Sequence, residues 1–559
     1  MSQDKIEKSG VSRRTFLTGA GITAGIAALS AMGCNSPSTQ KQGDAQPTEA
    51  DRNAAVDGGY FTKDGIYIPG FLAKAPKPIT DFADEKTYDV VVVGAGAAGL
   101  PAALSALEAG ATVGVLQKGS AAISQGNTGS GIDYETSDPE AVAALGHKMI
   151  AASQHRANPK IVDVWLKNSG EAIKWVINHT KNGGAQVVDQ DNGPQTPAVK
   201  EINGGKINWV TSYFGPKPYH TGDGMIVLAQ VAEKAGVEIF YKTPGVQLIK
   251  DGDRVVGVVG KDKDGNHIKF NATKGVILAC GDYQNNLEMS DFYQPDLHYF
   301  ERKQLDKNGE GHMMGIWAGA VMEPLAHTKM LHDFDAGPAS MCDMPFLVVN
   351  DDGERIVNEE TPMSLMNDYT RYPNEKAGWY SQIFDSNYMT QAADWPGKLV
   401  DPEGLKTYMP EETDNPHEGV FKDLIRTFKA DTLEELAGKL NIPADAFVKT
   451  VKRYNELVAQ GKDVDFGKNA RFLQPIDTPP FYGIHRHIRL SAICSGLIVD
   501  ENGACLDGID GEPIPGLFAV GNQAGGFYGG IDYPLDVFGM SLGRCYTAGY
   551  ITGRHVAKL

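Results

Sequence analysis

Three glycines at GxGxxG spacing, Gly94-Ala95-Gly96-Ala97-Ala98-Gly99, follow directly on Tyr88-Asp-Val-Val-Val-Val93. Gly94 permits a tight turn, Gly96 lets backbone approach a pyrophosphate, and Gly99 lets a helix pack on a strand. Four consecutive valines suit a strand buried on both faces, as in a parallel sheet. Leu100 to Glu108 then reads as a helix with Leu100, Leu104 and Leu107 on one face, and Thr112 to Gln117 as a second strand. The helix start would offer unpaired amides and the positive end of its dipole to phosphate. These elements define a nucleotide-binding βαβ unit. The residue that reads the ribose is usually an acid about 20 residues on. Here Gln117 and Lys118 stand there. An amide can hydrogen-bond a hydroxyl without charge, so the motif alone leaves FAD and NAD open.

A chain of 559 residues exceeds one core, so two or more domains are expected. The net charge of -18 argues against nucleic acid as a partner. The six cysteines are Cys34, Cys280, Cys342, Cys494, Cys505 and Cys545. None forms CxxC or CxxCH, so no haem, iron–sulfur or zinc spacing is present. Free thiols are expected, although Cys494 and Cys505 could pair.

Ser12-Arg13-Arg14-Thr15-Phe16-Leu17 precedes a weakly apolar run from Gly19 to Met32, too short to span a membrane. The paired arginines resemble a twin-arginine export signal over residues 1–34. Ala31-Met32-Gly33-Cys34 resembles a lipoprotein cleavage box, imperfect at Ala31. Residues 35–84 read as a polar tether and a proline-bearing lead-in.

Further on, Ser124 to Ile132 is a polar, glycine-dense loop carrying Gly126, Asn127, Thr128 and Gly129. Helical patterns cover Pro139 to Ser153 and Ile161 to Asn178. Strands are expected at Val237 to Tyr241 and Val246 to Ile249, and a hairpin turns at Asp264-Gly265. Gly275 to Asp282 reads as a separate buried strand ending in a small-residue turn.

These motifs together resemble the FAD-dependent fumarate reductase/succinate dehydrogenase flavoprotein family, which includes soluble fumarate and urocanate reductases and the 3-ketosteroid dehydrogenases. Val90 to Leu100 resembles its first βαβ, Gln125 to Ile132 its flavin loop, and Gly275 to Gly281 its Val-Ile-Leu-Ala-Thr-Gly-Gly turn, with Cys280 for Thr. Asn308-Gly-Glu-Gly311, Leu347 to Glu359 and Pro513 to Asn522 match further stretches in order. The resemblance implies FAD and an α/β fold: a Rossmann-like FAD-binding domain with an inserted α+β capping domain. The FAD-binding domain would comprise residues 85–283 and 476–559, the cap residues 284–475. The implied cofactor contacts are Gly94, Ala95, Gly96, Ala98, Gly99, Gln117, Lys118, Gly126, Asn127, Thr128, Gly129, Val246, Ala279, Gly281, Gly521, Asn522, Ser541 and Leu542. The last helix, Ser541 to Lys558, would start beneath the flavin.

The dicarboxylate machinery of that family does not carry over. Its proton-donor arginine should fall near Met363, and its relay glutamate and arginine near Ala339 and Cys342. Its His-His-Thr-Met-Gly-Gly motif is replaced by Ser491-Ala-Ile-Cys494-Ser-Gly496. Its second clamp arginine falls near Asp536, and no arginine lies between Gly521 and Met540. A dianion beside Asp532 and Asp536 would be repelled. Fumarate is therefore not expected to be the substrate.

The replacement stretch runs Gly525-Gly-Phe527-Tyr528-Gly-Gly-Ile-Asp532-Tyr533-Pro534-Leu-Asp536. Its Tyr-Pro is similar to that of the ketosteroid dehydrogenases, whose tyrosines polarise a carbonyl and move protons. Tyr533 and Tyr528 are candidate acids, His327 a candidate substrate contact, and Asp536, with Asp532, a candidate for a cationic or hydroxylated substrate. The alternatives are phenols packed in the core, a satisfied histidine, and aspartates capping the last helix. No metal is expected. The reading is an exported FAD ene-reductase acting on a small enone, enoate or conjugated alkene, supplied by an external cytochrome or quinol-linked donor. The other directions left open are a 3-ketosteroid-type dehydrogenase and a flavin electron relay.

Overall fold

The computed structural model describes residues 60–559 apart from 62, 64–66, 74, 189–196, 198, 218, 305, 325 and 535–536. The twin-arginine segment, Cys34 and Asp536 lie outside the described residues.

Strand β1 (Asp84–Val93) turns into α1 (Gly99–Glu108) and returns as β2 (Val113–Gln117). Val90, Val91, Val92 and Val93 are all buried, which is why the run could be apolar on both faces. Then come β3 (Gly129–Ile132), α2 (Pro159–Asn182), β4 (Trp209–Ser212), β5 (Glu238–Tyr241), β6 (Gly245–Asp251), β7 (Arg254–Lys261) and β8 (His267–Leu278). The large sheet runs β6-β7-β8-β1-β2-β5. Its β8, β1, β2 and β5 are mutually parallel, the arrangement that the βαβ reading requires.

The hairpin strand and the buried strand expected separately are one strand, β8. Its first half pairs antiparallel with β7, from Lys261↔His267 to Gly257↔Asn271. Its second half pairs parallel with β16 (Pro513–Ala519), Val276 facing Leu517. A β-bulge between Ala272 and Gly275 in the pairing with β1 lets the strand continue. Likewise only the first half of the Ser124–Ile132 segment is loop. Gly129 to Ile132 form β3, paired antiparallel with β4.

Between the two parts of the large sheet, α3 (Glu310–Ala318) and β9 (Lys329–His332) lead to a four-stranded sheet of β10 (Leu347–Val349), β11 (Trp379–Asp385), β12 (Thr427–Ala430) and β13 (Phe481–His487), in the order β10-β11-β13-β12. β13 pairs with β11 along its whole length, and β14 (Arg489–Ile493) pairs with β9. The chain therefore stays with the inserted sheet beyond residue 476 and regains the large one through β15 (Ala504–Leu506). The last helix, α4 (Met540–Val556), packs on α1 so closely that Gly549 lies against the Ala98 carbonyl.

Candidate active site

The glycine loop is built as its sequence demands. Gly94 has φ +110°, and a Cβ there would lie 2.4 Å from the Ala279 carbonyl oxygen. A Cβ on Gly99 would meet the Gly94 oxygen at 1.8 Å, so α1 could not begin where it does with any other residue. Ala95, Ala98 and Ala279 are buried. Gly521 packs against Ala98 and Cys545, which brings the turn after β16 onto the start of α1. Across α4, Gly126 lies under the Leu542 side chain, and the Ser130 amide donates to the Gly539 carbonyl at 2.9 Å. The structure thus gathers Gly94–Gly99, Ala279, Gly521–Asn522, Gly126–Gly129 and Ser541–Leu542 into one neighbourhood. Asn127 is exposed there, Val246 is half-buried at a bulge of β6, and Gly281 lies beside the Lys307 ammonium.

Gln117 ends β2 and is also used by the chain itself. Its amide is buried and engaged by the chain itself: Oε1 accepts the Ala95 amide at 3.2 Å and Nε2 donates to the Ala121 carbonyl at 2.7 Å. It holds the glycine loop, with one acceptor site and one N–H of the amide left over. Lys118 reaches away to Glu310 at 2.9 Å and to the Asp306 carbonyl, tying β2 to the start of α3.

Several buried polar atoms here have no partner within the protein: Thr128 Oγ1, Ser130 Oγ, Asn522 Oδ1 and both polar atoms of the Gln523 amide. Each costs about 1–3 kcal/mol if left unmade. They stand on the segments that carry the candidate flavin contacts. A cofactor rich in hydroxyls, carbonyls and ring nitrogens matches this donor and acceptor set, and FAD is such a group.

Beside them lies the aromatic cluster of the replacement stretch. Phe527, Tyr528 and Tyr533 are all buried, with the Tyr528 and Tyr533 ring centroids 5.5 Å apart. The Tyr533 oxygen accepts the Ser541 amide at 2.9 Å, in the first turn of α4. The Tyr528 hydroxyl is buried without a partner, and burial raises its pKa well above the usual phenol value. Cys494 sits opposite, its sulfur 3.8 Å from Ser541 Oγ, and burial pushes its thiol up to about 12. It is a neutral thiol at physiological pH. Cys280, Cys342, Cys494, Cys505 and Cys545 are free, so Cys494 and Cys505 are not joined.

Arg544 completes the cluster; it closes the Gly539-Met-Ser-Leu-Gly-Arg544 stretch that is similar to the ketosteroid dehydrogenases, a resemblance that assigns it no role. It lies on α4, outside the stretch searched for clamp arginines, yet it is 4% exposed. Its guanidinium stands over the Phe527 and Tyr528 rings at 5.3 and 5.4 Å and donates to the Cys494 and Ala524 carbonyls. A helical side chain leans toward the helix N-terminus, which is how a residue beyond Met540 reaches back to Tyr528. The signal available was an arginine among small and apolar residues in the first turns of a helix due to be buried.

His327 is placed as a satisfied core histidine. Nδ1 shares a hydrogen bond with the Tyr283 hydroxyl, Nε2 lies 2.9 Å from the Glu323 carbonyl, and the ring stacks on Tyr293. Both nitrogens are occupied within the chain, so neither is offered to a substrate. Asp532 does not cap α4, whose N-cap is Gly539 without a side-chain bond. Its carboxylate faces the inserted region instead, 3.3 Å from Asn367 Nδ2 and 3.8 Å from Lys329 Nζ. Burial raises its pKa, and Lys329 opposes that rise. Lys329 also pairs with Asp296 at 2.5 Å, so one ammonium is shared between two carboxylates and offsets the charge of Asp532 only in part.

The FAD-binding domain family matches residues 89–533. The chain belongs to that family, and its cofactor is FAD. The vinyl phenol reductase of Lactiplantibacillus plantarum (strain ATCC BAA-793 / NCIMB 8826 / WCFS1) is 28% identical over 512 residues, 85% of this chain and 97% of its own. Among solved structures, the open conformation of a flavocytochrome c3 fumarate reductase superposes with a TM-score of 0.62 at 24% identity, covering 85% of this chain and 79% of that one. A 3-ketosteroid-Δ4-(5α)-dehydrogenase from Rhodococcus jostii RHA1 also gives 0.62, at 23% identity, covering 87% and 99%. The fold is that of these flavoproteins. The chain is an FAD-dependent oxidoreductase acting on CH–CH groups.

Proposed function

We propose that this oxidoreductase reduces the C=C bond of a small conjugated alkene other than fumarate. The observation that carries the reading is the Tyr533 phenol held against the Ser541 amide at the start of α4. FAD, which Gly94–Gly99, Gly126–Gly129 and Gly521–Asn522 would hold, would when reduced provide the hydride that the β-carbon of the alkene needs. Tyr533 gives its proton to the α-carbon. The resulting phenolate is stabilised by the Ser541 N–H and by the positive end of the helix dipole. Phe527, Tyr528 and the buried face of α4 keep water from the reacting atoms. Fumarate is disfavoured because Arg544 is a single cation, whereas two carboxylates call for two clamps. The likeness to a vinyl phenol reductase, named for a conjugated alkene, supports the same class.

Electrons come from a separate donor, a cytochrome or quinol-linked carrier. We further propose export by the twin-arginine route and acylation at Cys34, which an intact-mass measurement of the membrane-extracted protein tests. The Tyr533-Pro534 pair also favours a second reading, a ketosteroid-type dehydrogenase running the reaction oxidatively. Anaerobic titration of the chemically reduced holoprotein separates these. Fast reoxidation of the flavin by a monoanionic or neutral conjugated alkene, with fumarate inert, is the expected outcome. Reoxidation by fumarate overturns the substrate assignment. Reduction of the oxidised flavin by a saturated ketosteroid, with every alkene inert, gives the oxidative reading.

A further inference from the structure

The phosphates of FAD call for positive charge that the glycine loop does not carry. Gly94 to Leu100 offer amides and the start of α1, worth about half an elementary charge, but no basic side chain. The turn after β8 brings a cation to this place. Ala279 and Cys280 close on the loop, the Ala279 oxygen and the Cys280 Cα lying 2.4 and 3.3 Å from a Cβ built on Gly94. The next residue, Gly281, has φ +82°, and the Lys307 ammonium lies 3.1 Å from its Cβ position. Lys307 therefore reaches, from the inserted region, the turn that abuts the phosphate loop.

Among the described residues that ammonium has no hydrogen bond and no ion pair; only the Lys307 amide and carbonyl are used, both by Asn285. The nearby acids have other partners. Glu310 and Asp306 pair with Lys118 at 2.9 and 3.6 Å. The Asp282 carboxylate accepts the Gln284 and Ile493 amides at 3.1 and 3.4 Å. A second unused group lies close by. The Gln523 side chain is wholly buried with no partner at either polar atom, and its Oε1 lies 2.3 Å from a Cβ built on Gly311, in the first turn of α3. That helix starts after Gly309 without a side-chain cap, and Cys280 Sγ lies 2.9 Å from the same Gly311 position. The 279–281 turn is wedged between the starts of α1 and α3, with an ammonium and an amide against it that the described chain leaves unused.

We propose that Lys307 pairs with the pyrophosphate of FAD, and that the first turn of α3 and the Gln523 amide face the same anion, so that the inserted region grips the cofactor as well as the FAD-binding domain does. The competing employment for Lys307 is to offset the buried Asp282. The two make different demands. A pairing with phosphate acts on FAD retention and weakens with salt, because Lys307 is partly exposed. An offset of Asp282 acts on the fold whether FAD is bound or not.

The test follows release of FAD from the diluted holoprotein, read as the rise of free flavin fluorescence at a temperature where the wild type releases over minutes. Lys307→Met should release FAD about tenfold faster, as loss of one charged hydrogen bond implies, and Lys307→Arg should stay near the wild type. Raising the salt from about 0.05 to about 0.5 M should speed release from the wild type several-fold and from Lys307→Met much less. Gln523→Met, which keeps the size without the amide, should also release FAD faster, with its salt dependence retained. The Tm of each FAD-stripped variant reports on the fold alone. Equal release from wild type and Lys307→Met overturns the proposal, as does a wild-type rate indifferent to salt. Faster release from Lys307→Met with a lowered Tm of the stripped protein and an unchanged salt dependence overturns it too, and assigns Lys307 to Asp282 instead. FAD retention is read without any alkene, so these outcomes stand apart from the reductase reading.

Discussion

The Tyr533 oxygen lies 2.9 Å from the Ser541 amide nitrogen, and that amide belongs to the first turn of the last helix. A phenol there can lose its proton to a substrate because the anion left behind meets an N–H and a helix N-terminus. Tyr528, 5.5 Å away, has no such support: its hydroxyl is unpartnered and burial raises its pKa well above the usual phenol value. Tyr533→Phe should therefore lower alkene-dependent flavin reoxidation by about 10²–10⁴-fold with FAD content unchanged. Tyr528→Phe should lower it far less. Single-turnover reoxidation in an anaerobic stopped-flow apparatus measures both, and the reverse ranking would transfer the acid's role to Tyr528.

Gly99 is the tightest point of the cofactor loop, since an added Cβ would sit 1.8 Å from the Gly94 oxygen. The backbone must move for any larger residue, and the loop that moves is the one that receives phosphate. Gly99→Ala should purify with little or no FAD. Gly110→Ala is the control: it has φ +96° but nothing within 4 Å, so it pays only backbone strain of about 1 kcal/mol. The flavin-to-protein absorbance ratio distinguishes them, and full occupancy in Gly99→Ala would show that the loop yields.

Much of this architecture was legible in the chain, for identifiable reasons. The Val90–Val93 run, the glycine spacing and Leu100 to Glu108 are local signals, and each element formed where its pattern placed it. The long β8 was not legible as one strand, because the bulge that joins its halves is fixed by pairing with β1, a contact far away in sequence. The structural role of Gln117 was hidden for a related reason. Position marked it as the ribose reader, but its two amide bonds run to Ala95 and Ala121, and only the folded loop supplies them. His327 reads from sequence equally as a ligand or a core residue, and Tyr283 and Glu323 on its two nitrogens make it the latter. Arg544 stands in a recognisable motif, but its place over Tyr528 comes only from the geometry of a helix.

A buried ion network braces the inserted region behind the site. Arg355 bonds Glu359 through Nε and Nη2 at 2.8 Å each and reaches Asp463 at 2.7 Å, while Lys468 stands 3.3 Å from Glu359. The Glu359, Asp463 and Lys468 side chains are fully buried, and the Arg355 side chain is 7% exposed. Two cations against two carboxylates balance only while all four are present. Glu359→Ala should cost about 3–5 kcal/mol, because it leaves a buried cation uncompensated. Glu359→Gln keeps the shape and part of the hydrogen bonding, and should cost less. Denaturant midpoints at constant m-value measure both, and a loss below about 1 kcal/mol for the alanine variant would mean that water or another acid replaces the carboxylate.

His312 gives the fold a pH dependence with a definite sign. Its ring is fully buried, Nε2 lies 3.3 Å from the Asn522 carbonyl and Nδ1 has no partner. Burial lowers its pKa from 6.5 to about 3. Between those values the unfolded chain binds a proton at this residue that the folded chain does not. Its contribution to stability is therefore complete above pH 6.5 and is lost as the pH falls toward 3, by about 1.4 kcal/mol for each pH unit. His312→Gln removes the titration. The variant should be less stable than wild type at pH 7, where the native contact to Asn522 is weakened, and the gap should narrow by about 2 kcal/mol at pH 5. Chemical denaturation of both proteins at the two pH values reads the difference directly, so groups common to both cancel. A gap that stays constant would mean that His312 is protonated in the folded state and that its Nδ1 has found an acceptor.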